Sequence, residues 1–228
     1  MLRDLEGGTS PQLLAPGYAP ASWSQDGQVL VYTTYVKPSA SGLDEQSDIW
    51  VLRRDGATVK TAPWLQTAAD EDDPVLSPDG RWLAYTSAEP DETPHSYVYV
   101  EPFPARGGRT QVSNAGGWAP LWSPDGRELF HLNRCQRKPG TCLSASPLRV
   151  VGSTVEFGQP REIVELPGGY ATTPLRSYDS IDGRRFIYLH SRVPHTPAAL
   201  SPRDARRLQL VRGAEGQDAA EQVGTTSQ

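Results

Sequence analysis

The feature that most constrains this chain is a short element, Ser-x-Asp-Gly, that it uses four times. The copies are Ser24-Gln25-Asp26-Gly27, Ser77-Pro78-Asp79-Gly80, Ser123-Pro124-Asp125-Gly126 and Ser180-Ile181-Asp182-Gly183. The four Asp residues are 53, 46 and 57 positions apart. Each copy runs straight into a β-like segment: QVLVYTTY, RWLAYTS, RELFHLN and RRFIYLHS. A Pro precedes each copy by a few residues: Pro20, Pro74, Pro120 and, more loosely, Pro174. A repeat of this period excludes a single long helical unit and predicts stacked copies of one supersecondary element.

The element reads as a turn. Ser at the first position can hydrogen-bond a backbone N–H, and Pro at the second presets φ. Gly at the fourth takes the left-handed conformation that lets the chain enter the next strand through a bulge. Nothing in it requires catalysis, so Ser24, Asp26, Gly27, Ser77, Asp79, Gly80, Ser123, Asp125, Gly126, Ser180, Asp182 and Gly183 are assigned to structural turns.

Further strands fill the period. SDIWVL at 47–52 and SYVYV at 96–100 read as third strands, with 143–151 a weaker third one. Residues 58–64, 109–112 and 161–166 read as fourth strands. Four short strands per period make one blade of a β-propeller. In RWLAYTS, alternation separates Trp82, Ala84 and Thr86 from Leu83 and Tyr85. Strands near a propeller's centre are covered on both faces, so strict polar alternation is not needed there.

Composition agrees. Gly and Pro each contribute 21 of 228 residues, which favours many short elements joined by turns. Six Trp and nine Tyr suit pleated surfaces. The net charge of -5 and two isolated basic pairs, Arg184-Arg185 and Arg206-Arg207, leave no footprint for nucleic acid. No run of apolar residues is long enough for a membrane span. The first fourteen residues, MLRDLEGGTSPQLL, lack the apolar core of a signal peptide. An exported longer protein stays compatible with that.

The repeats resemble the WD40-like repeats of TolB-type β-propellers. Their pattern P-x-W-S-P-D-G-x-x-L-A-Y-x-S, followed by D-I-Y-V, is matched by residues 120–126, 80–87 and 48–51. A narrower resemblance is to the propeller region attached to bacterial receptor-like serine/threonine protein kinases. It is carried by YVYVEPFP at 97–104, GGRTQVS at 107–113, Gly116-Gly117 and LWSPDGRELF, and continues through FGQPR at 157–161, Tyr178-Asp179 and GRRF at 183–186. Leu208 to Val211 matches a closing strand. The sequence departs from the pattern at Gln25 and Ile181 (for Pro) and at Leu76 (for Trp).

The resemblance implies a six-bladed fold of which this chain supplies about four blades in an open arc, a closed four-bladed ring being the lesser alternative. The expected units are 1–17, an outer strand of a preceding blade; 18–66, 67–115 and 116–167, three blades; 168–212, a partial last blade; and 213–228, a disordered tail. Missing blades would come from a parent chain or an assembly. Kinases of this type carry their catalytic domain separately, and here no G-x-G-x-x-G, H-R-D or D-F-G occurs.

Cys135 and Cys142 flank the turn Pro139-Gly140, which brings the thiols together. A disulfide is expected if the compartment is oxidising, and the kinase-linked resemblance implies a location outside the cytoplasm. The pair alone is too sparse for a metal site. His131 and His190 sit alike in equivalent strands and read as packed; His95 and His195 lie beside Pro and read as solvated. No G-x-S-x-G elbow is present for a serine peptidase. The acidic stretches 70–73 and 89–94 read as solvated faces, with steering of a basic peptide or a cation as the functional alternative. Trp118 and Trp122 read as packing residues.

The expected function is that of a non-catalytic binding or sensor scaffold for a protein or small ligand, with no cofactor and no metal, serving a larger signalling protein. The alternatives are the gating propeller of a prolyl-oligopeptidase-like peptidase and a TolB-like periplasmic interaction protein.

Overall fold

The structure is a computed structural model. It describes residues 19–36, 46–56, 58–89, 96–137, 139–166, 178–190 and 207–212, with the backbone alone described at 19–20, 35–36, 189–190 and 207–212. The expectations for 1–17, 213–228, His95, His195 and the side chain of His190 fall outside these.

The described residues form strands and turns, arranged as four antiparallel sheets in chain order. The first sheet holds β1 (Ala19–Trp23), β2 (Val29–Val36), β3 (Gln46–Asp55) and β4 (Thr58–Leu65). The second holds β5 (Asp70–Leu76), β6 (Trp82–Ala88), β7 (Tyr97–Pro102) and the two-residue β8 (Thr110–Gln111). The third holds β9 (Trp118–Trp122), β10 (Glu128–Arg134), β11 (Thr141–Val151), β12 (Thr154–Phe157) and β13 (Arg161–Leu166). The fourth holds β14 (Tyr178–Ser180), β15 (Arg185–His190) and β16 (Arg207–Arg212). The described residues thus form an all-β arc of antiparallel sheets, the arrangement of a partial propeller.

β12 has no counterpart in the sequence reading. It exists because β11 runs for eleven residues, longer than the sheet needs. Its first half pairs with β13, while Leu148 to Val151 turn back on β12 through Gly152, whose φ is 61°. Val155 of β12 then drops into the core between the second and third sheets.

Three cores hold the arc together, one at each junction. Val31, Ile49 and Val51 meet Leu76, Leu83, Tyr85 and Tyr99 between the first two sheets. Trp82, Ala84, Val98 and Val100 meet Trp122 and Leu129 at the next junction. Leu121, Phe130, Leu132 and Ala145 meet Phe186 and Tyr188 at the last. Each fully buried Val, Leu, Ile or Phe among them contributes roughly 1.5–3 kcal/mol.

A sheet in the middle of the arc is covered on both faces, so Trp82 through Ser87 are all buried. Outer β4 is mostly exposed until Trp64 and Leu65 at its end. The first strands lie nearest the hub: β1 touches β5, and β5 touches β9. Each of these three strands carries a bulge at its Pro, between Pro20 and Ser22 in β1, between Asp72 and Val75 in β5, and at the Phe130 to Leu132 step opposite β9.

Candidate functional site

At one end of the hub sit the Ser-x-Asp-Gly turns. In the first three, the Gly N–H donates to the Ser carbonyl at 2.9 Å. The Gly residues adopt φ of 67°, 68° and 69°, and Gly183 of the fourth turn adopts 72°. The Ser hydroxyl donates to the Asp carboxylate at 2.6, 2.5 and 2.7 Å in Ser24, Ser77 and Ser123. It also accepts the N–H that opens the next strand, from Val29, Trp82 and Glu128 at 2.9, 3.0 and 2.9 Å. The Asp accepts the N–H two residues on: Gln28, Arg81 and Arg127.

The fourth turn differs. Ser180 donates to the Arg185 carbonyl and accepts from the Gly183 N–H. Asp182 instead takes two backbone N–H groups, of Arg184 and Arg185, and these hold its carboxyl down at about 2. Asp26 and Asp125 are also lowered, chiefly by the hydroxyls of Ser24 and Ser123. An Asp held ionised by local donors is a poor general base, and each Ser hydroxyl proton is already engaged.

Consecutive turns touch. A Cβ placed on Gly126 would lie 3.7 Å from Pro78 Cδ, and one on Gly183 would lie 3.5 Å from Pro124 Cδ. Beside the last pair opens a cleft of about 440 Å³, lined by Phe186 and Ile163 together with Asp125, Glu128, Arg161, Asp182 and Arg184. Arg161 and Glu128 close on each other there at 2.8 Å.

Cys135 and Cys142 are joined in a disulfide across the β10–β11 connection. His131 is buried with Nδ1 unpartnered among the described residues, and burial lowers it to about 4. Trp118 and Trp122 both pack at sheet junctions.

The opposite end of the hub departs from the sequence reading. Residues 70–73 read as a solvated face, yet Glu71 is 1% exposed, and Asp48, distant in sequence, is 3% exposed beside it. The connection from β4 to β5 folds over this end. Gln66 donates to Asp48 at 2.7 Å, and Thr67 donates to Glu71. Ser47 donates its N–H to Asp70 at 3.2 Å and its hydroxyl to Asp72 at 3.0 Å. Burial pushes Glu71 up to about 7 and raises Asp72 as well; Asp48 adds to the rise at Glu71 and Asp70 to that at Asp72. Among the described residues, Asp48, Asp70, Glu71 and Asp72 have no Lys or Arg in ion pairing. Among those residues no three or more His, Cys, Asp or Glu side chains are arranged to hold a metal ion.

Next along β5, Asp73 takes a φ of 53°, and its equivalent Ala119 takes 52°, both directly before Pro. Non-glycine residues in this region mark strain. Thr86 bridges them, accepting the Ala119 N–H at 3.1 Å and donating to Asp73 at 3.4 Å. The strained bulges thereby tie adjacent inner strands together at the acidic end. Nothing in the sequence signals it, since a following Pro ordinarily holds its predecessor in the extended region. Glu101, also unforeseen, is buried between Tyr85, which donates at 2.7 Å, and Arg106.

No family model matches the sequence, and no curated protein matches it. Solved structures share its fold. TolB from Acinetobacter baumannii is similar over 92% of this chain and 45% of its own, at 16% identity and a TM-score of 0.55. The β-propeller domain of the Trilobed protease from Pyrococcus furiosus, of open velcro topology, is similar over 87% of this chain and 55% of its own, at 13% identity and a TM-score of 0.51. The tricorn protease is similar over 87% of this chain and 21% of its own, at 14% identity and a TM-score of 0.54. The chain spans about half the length of the first two. At these identities the likeness is one of fold.

Proposed function

We propose that this chain is a non-catalytic binding scaffold whose acidic hub end takes a basic segment of a protein or peptide. The observation that carries the reading is the gathering of two carboxylate pairs at one end, Asp70 with Asp72 on Ser47 and Asp48 beside Glu71, with no cationic partner among the described residues. Carboxylates crowded in a partly dry site repel one another, and an arriving guanidinium or ammonium relieves that repulsion. A charged mouth also steers its partner on approach.

The four units are taken as 18–66, 67–115, 116–167 and 168–212, with 1–17 as the outer strand of a preceding blade. The link to receptor-like kinases rests on the motif run from Tyr97 to Phe186 and makes the chain the sensor part of a larger signalling protein outside the cytoplasm. The Cys135–Cys142 disulfide supports that location. No helix among the described residues is long and apolar enough to cross a membrane. The second reading, a gating propeller of a peptidase, is favoured by the fold likeness to the Trilobed and tricorn proteases. A hydrolase domain in the adjoining sequence would select it.

The test is titration of a fluorescent Arg/Lys-rich peptide and a Glu/Asp-rich control. The basic peptide should bind with a strong salt dependence, and the double variant Asp70→Asn/Asp72→Asn should weaken it about tenfold. Equal binding of both peptides, or no effect of the double variant, would overturn the reading.

A further inference from the structure

The connection from β4 to β5, residues 66–69, is fastened to two buried carboxylates. Gln66 donates to Asp48 at 2.7 Å, and the Thr67 hydroxyl donates to Glu71 Oε1. Gln46 donates to the carbonyls of Thr67 and Ala69, the latter at 3.2 Å. The Ala69 N–H donates to the Thr67 hydroxyl at 3.0 Å. Gln66, Thr67 and Ala68 are exposed, whereas Asp48, Ala69 and Glu71 are buried. Two carboxylates thus lie out of water directly beneath residues that face it.

The space under this connection suits a neutral carboxyl better than an ion. Glu71 Oε2 is buried and has no hydrogen-bond partner among the described residues. The titratable groups that surrounding elements bring to this end are Asp48 from β3, Asp70 and Asp72 from β5, and Tyr97 from β7. Glu89, just after β6, is held by Arg109 at 2.7 Å. The described side chains at this end of β2 are those of Thr33 and Thr34. An ionised Glu71 therefore sits dry, with one oxygen unbonded, beside another carboxylate. Burial holds its carboxyl up at about 7; the Thr67 hydroxyl works against this rise, and Asp48 adds to it.

We propose that residues 66–69 form a proton-controlled strap, closed over Asp48 and Glu71 while Glu71 is protonated and released when Glu71 ionises. Release hydrates both carboxylates and relieves their repulsion. The bonds that Gln46, Gln66 and Thr67 give up are replaced by bonds to water at little net cost. The covering residues already face solvent, so the strap can lift as a local opening without parting the sheets. Closed, this end offers a ligand Asp70 and Asp72; open, it offers Asp48 and Glu71 as well. That consequence rests on the reading of this end as a site for a basic segment; the opening itself does not.

The experiment is hydrogen exchange of the Ala69 amide between pH 5.5 and 8.5, expressed as protection after correction for the intrinsic pH dependence of exchange. Amides of β6 serve as the internal control, and circular dichroism confirms the sheets at each pH. Protection at Ala69 should fall at least tenfold across this range, with a midpoint near pH 7, while β6 stays protected. Glu71→Gln, which keeps the shape and lacks the charge, should abolish the transition. Asp48→Asn should move its midpoint down by at least half a pH unit. Constant protection in the parent chain, or an unchanged transition in Glu71→Gln, overturns the proposal. If Glu71→Gln loses its sheets, Asp48→Asn decides, and an unmoved midpoint overturns it. Titration of the Arg/Lys-rich peptide at pH 6 and 8 separates the two readings. A strap transition with no peptide binding overturns the binding reading and keeps the strap; peptide binding with no strap transition does the reverse.

Discussion

The indole Nε1 of Trp122 donates a 3.1 Å hydrogen bond to the carbonyl of Val75, crossing from the third sheet to the second. Both residues lie in the core of that junction, Trp122 at 6% and Val75 at 5% exposure. A single side chain thus fills the junction and satisfies an inner-strand carbonyl that water cannot reach. Trp122→Phe should keep most of the packing and lose the bond, at a cost of about 1–2 kcal/mol. Trp122→Ala should cost about 3–5 kcal/mol. Urea unfolding of the two variants would measure the difference.

The turn hydroxyls should matter for stability and not for chemistry. Ser77→Ala removes a donor to Asp79 and the acceptor for the buried Trp82 N–H. An expected loss of about 1–2 kcal/mol, with binding of the basic peptide unchanged at temperatures where the variant is folded, follows from leaving that N–H unpaired. Thermal melts and peptide titration on one sample would check both halves.

Glu71 and His131 should give opposite pH dependences. Burial raises Glu71 from an ordinary 4.5 to about 7, so its contribution to stability is whole below 4.5 and is lost as pH rises to about 7. Burial lowers His131 from 6.5 to about 4, so its contribution is whole above 6.5 and is lost as pH falls to about 4. Between roughly pH 4.5 and 6.5 the two slopes oppose each other. Relative to the parent, Glu71→Gln should therefore shift the slope toward stability rising with pH across this window, and His131→Gln should shift it toward falling. Urea midpoints at pH 4.5, 5.5 and 6.5 would show the two signs.

The disulfide closes a loop with a sequence separation of 7, across the β10–β11 connection. Replacing both cysteines by Ser should cost about 2 kcal/mol by the loop-entropy relation. Hydrogen exchange should rise first in the β10–β11 hairpin, because its seven register pairs begin at Arg134 and Thr141, beside the bridge.

The repeat could be read from one chain because its cause is local. Ser, Asp and Gly at fixed spacing close a turn with their own backbone, whatever surrounds them, and the apolar run that follows needs only a sheet to enter. The unforeseen strand β12 has a different origin: β11 outruns its sheet, and only the neighbouring junction core, by accepting Val155, decides that the excess folds back. The same holds for the acidic end. Four carboxylates in a row from Asp70 to Asp73 carry no sign of which one is buried. That was decided by the β4–β5 connection folding over Glu71, by Ser47 reaching Asp70 and Asp72, and by Asp48 arriving from another strand. The sequence by itself determined the turns, the strands that follow them and the propeller class, all consequences of contacts within a few residues. Tertiary structure alone decided which carboxylates left water, because burial and desolvation depend on what other sheets place against a side chain.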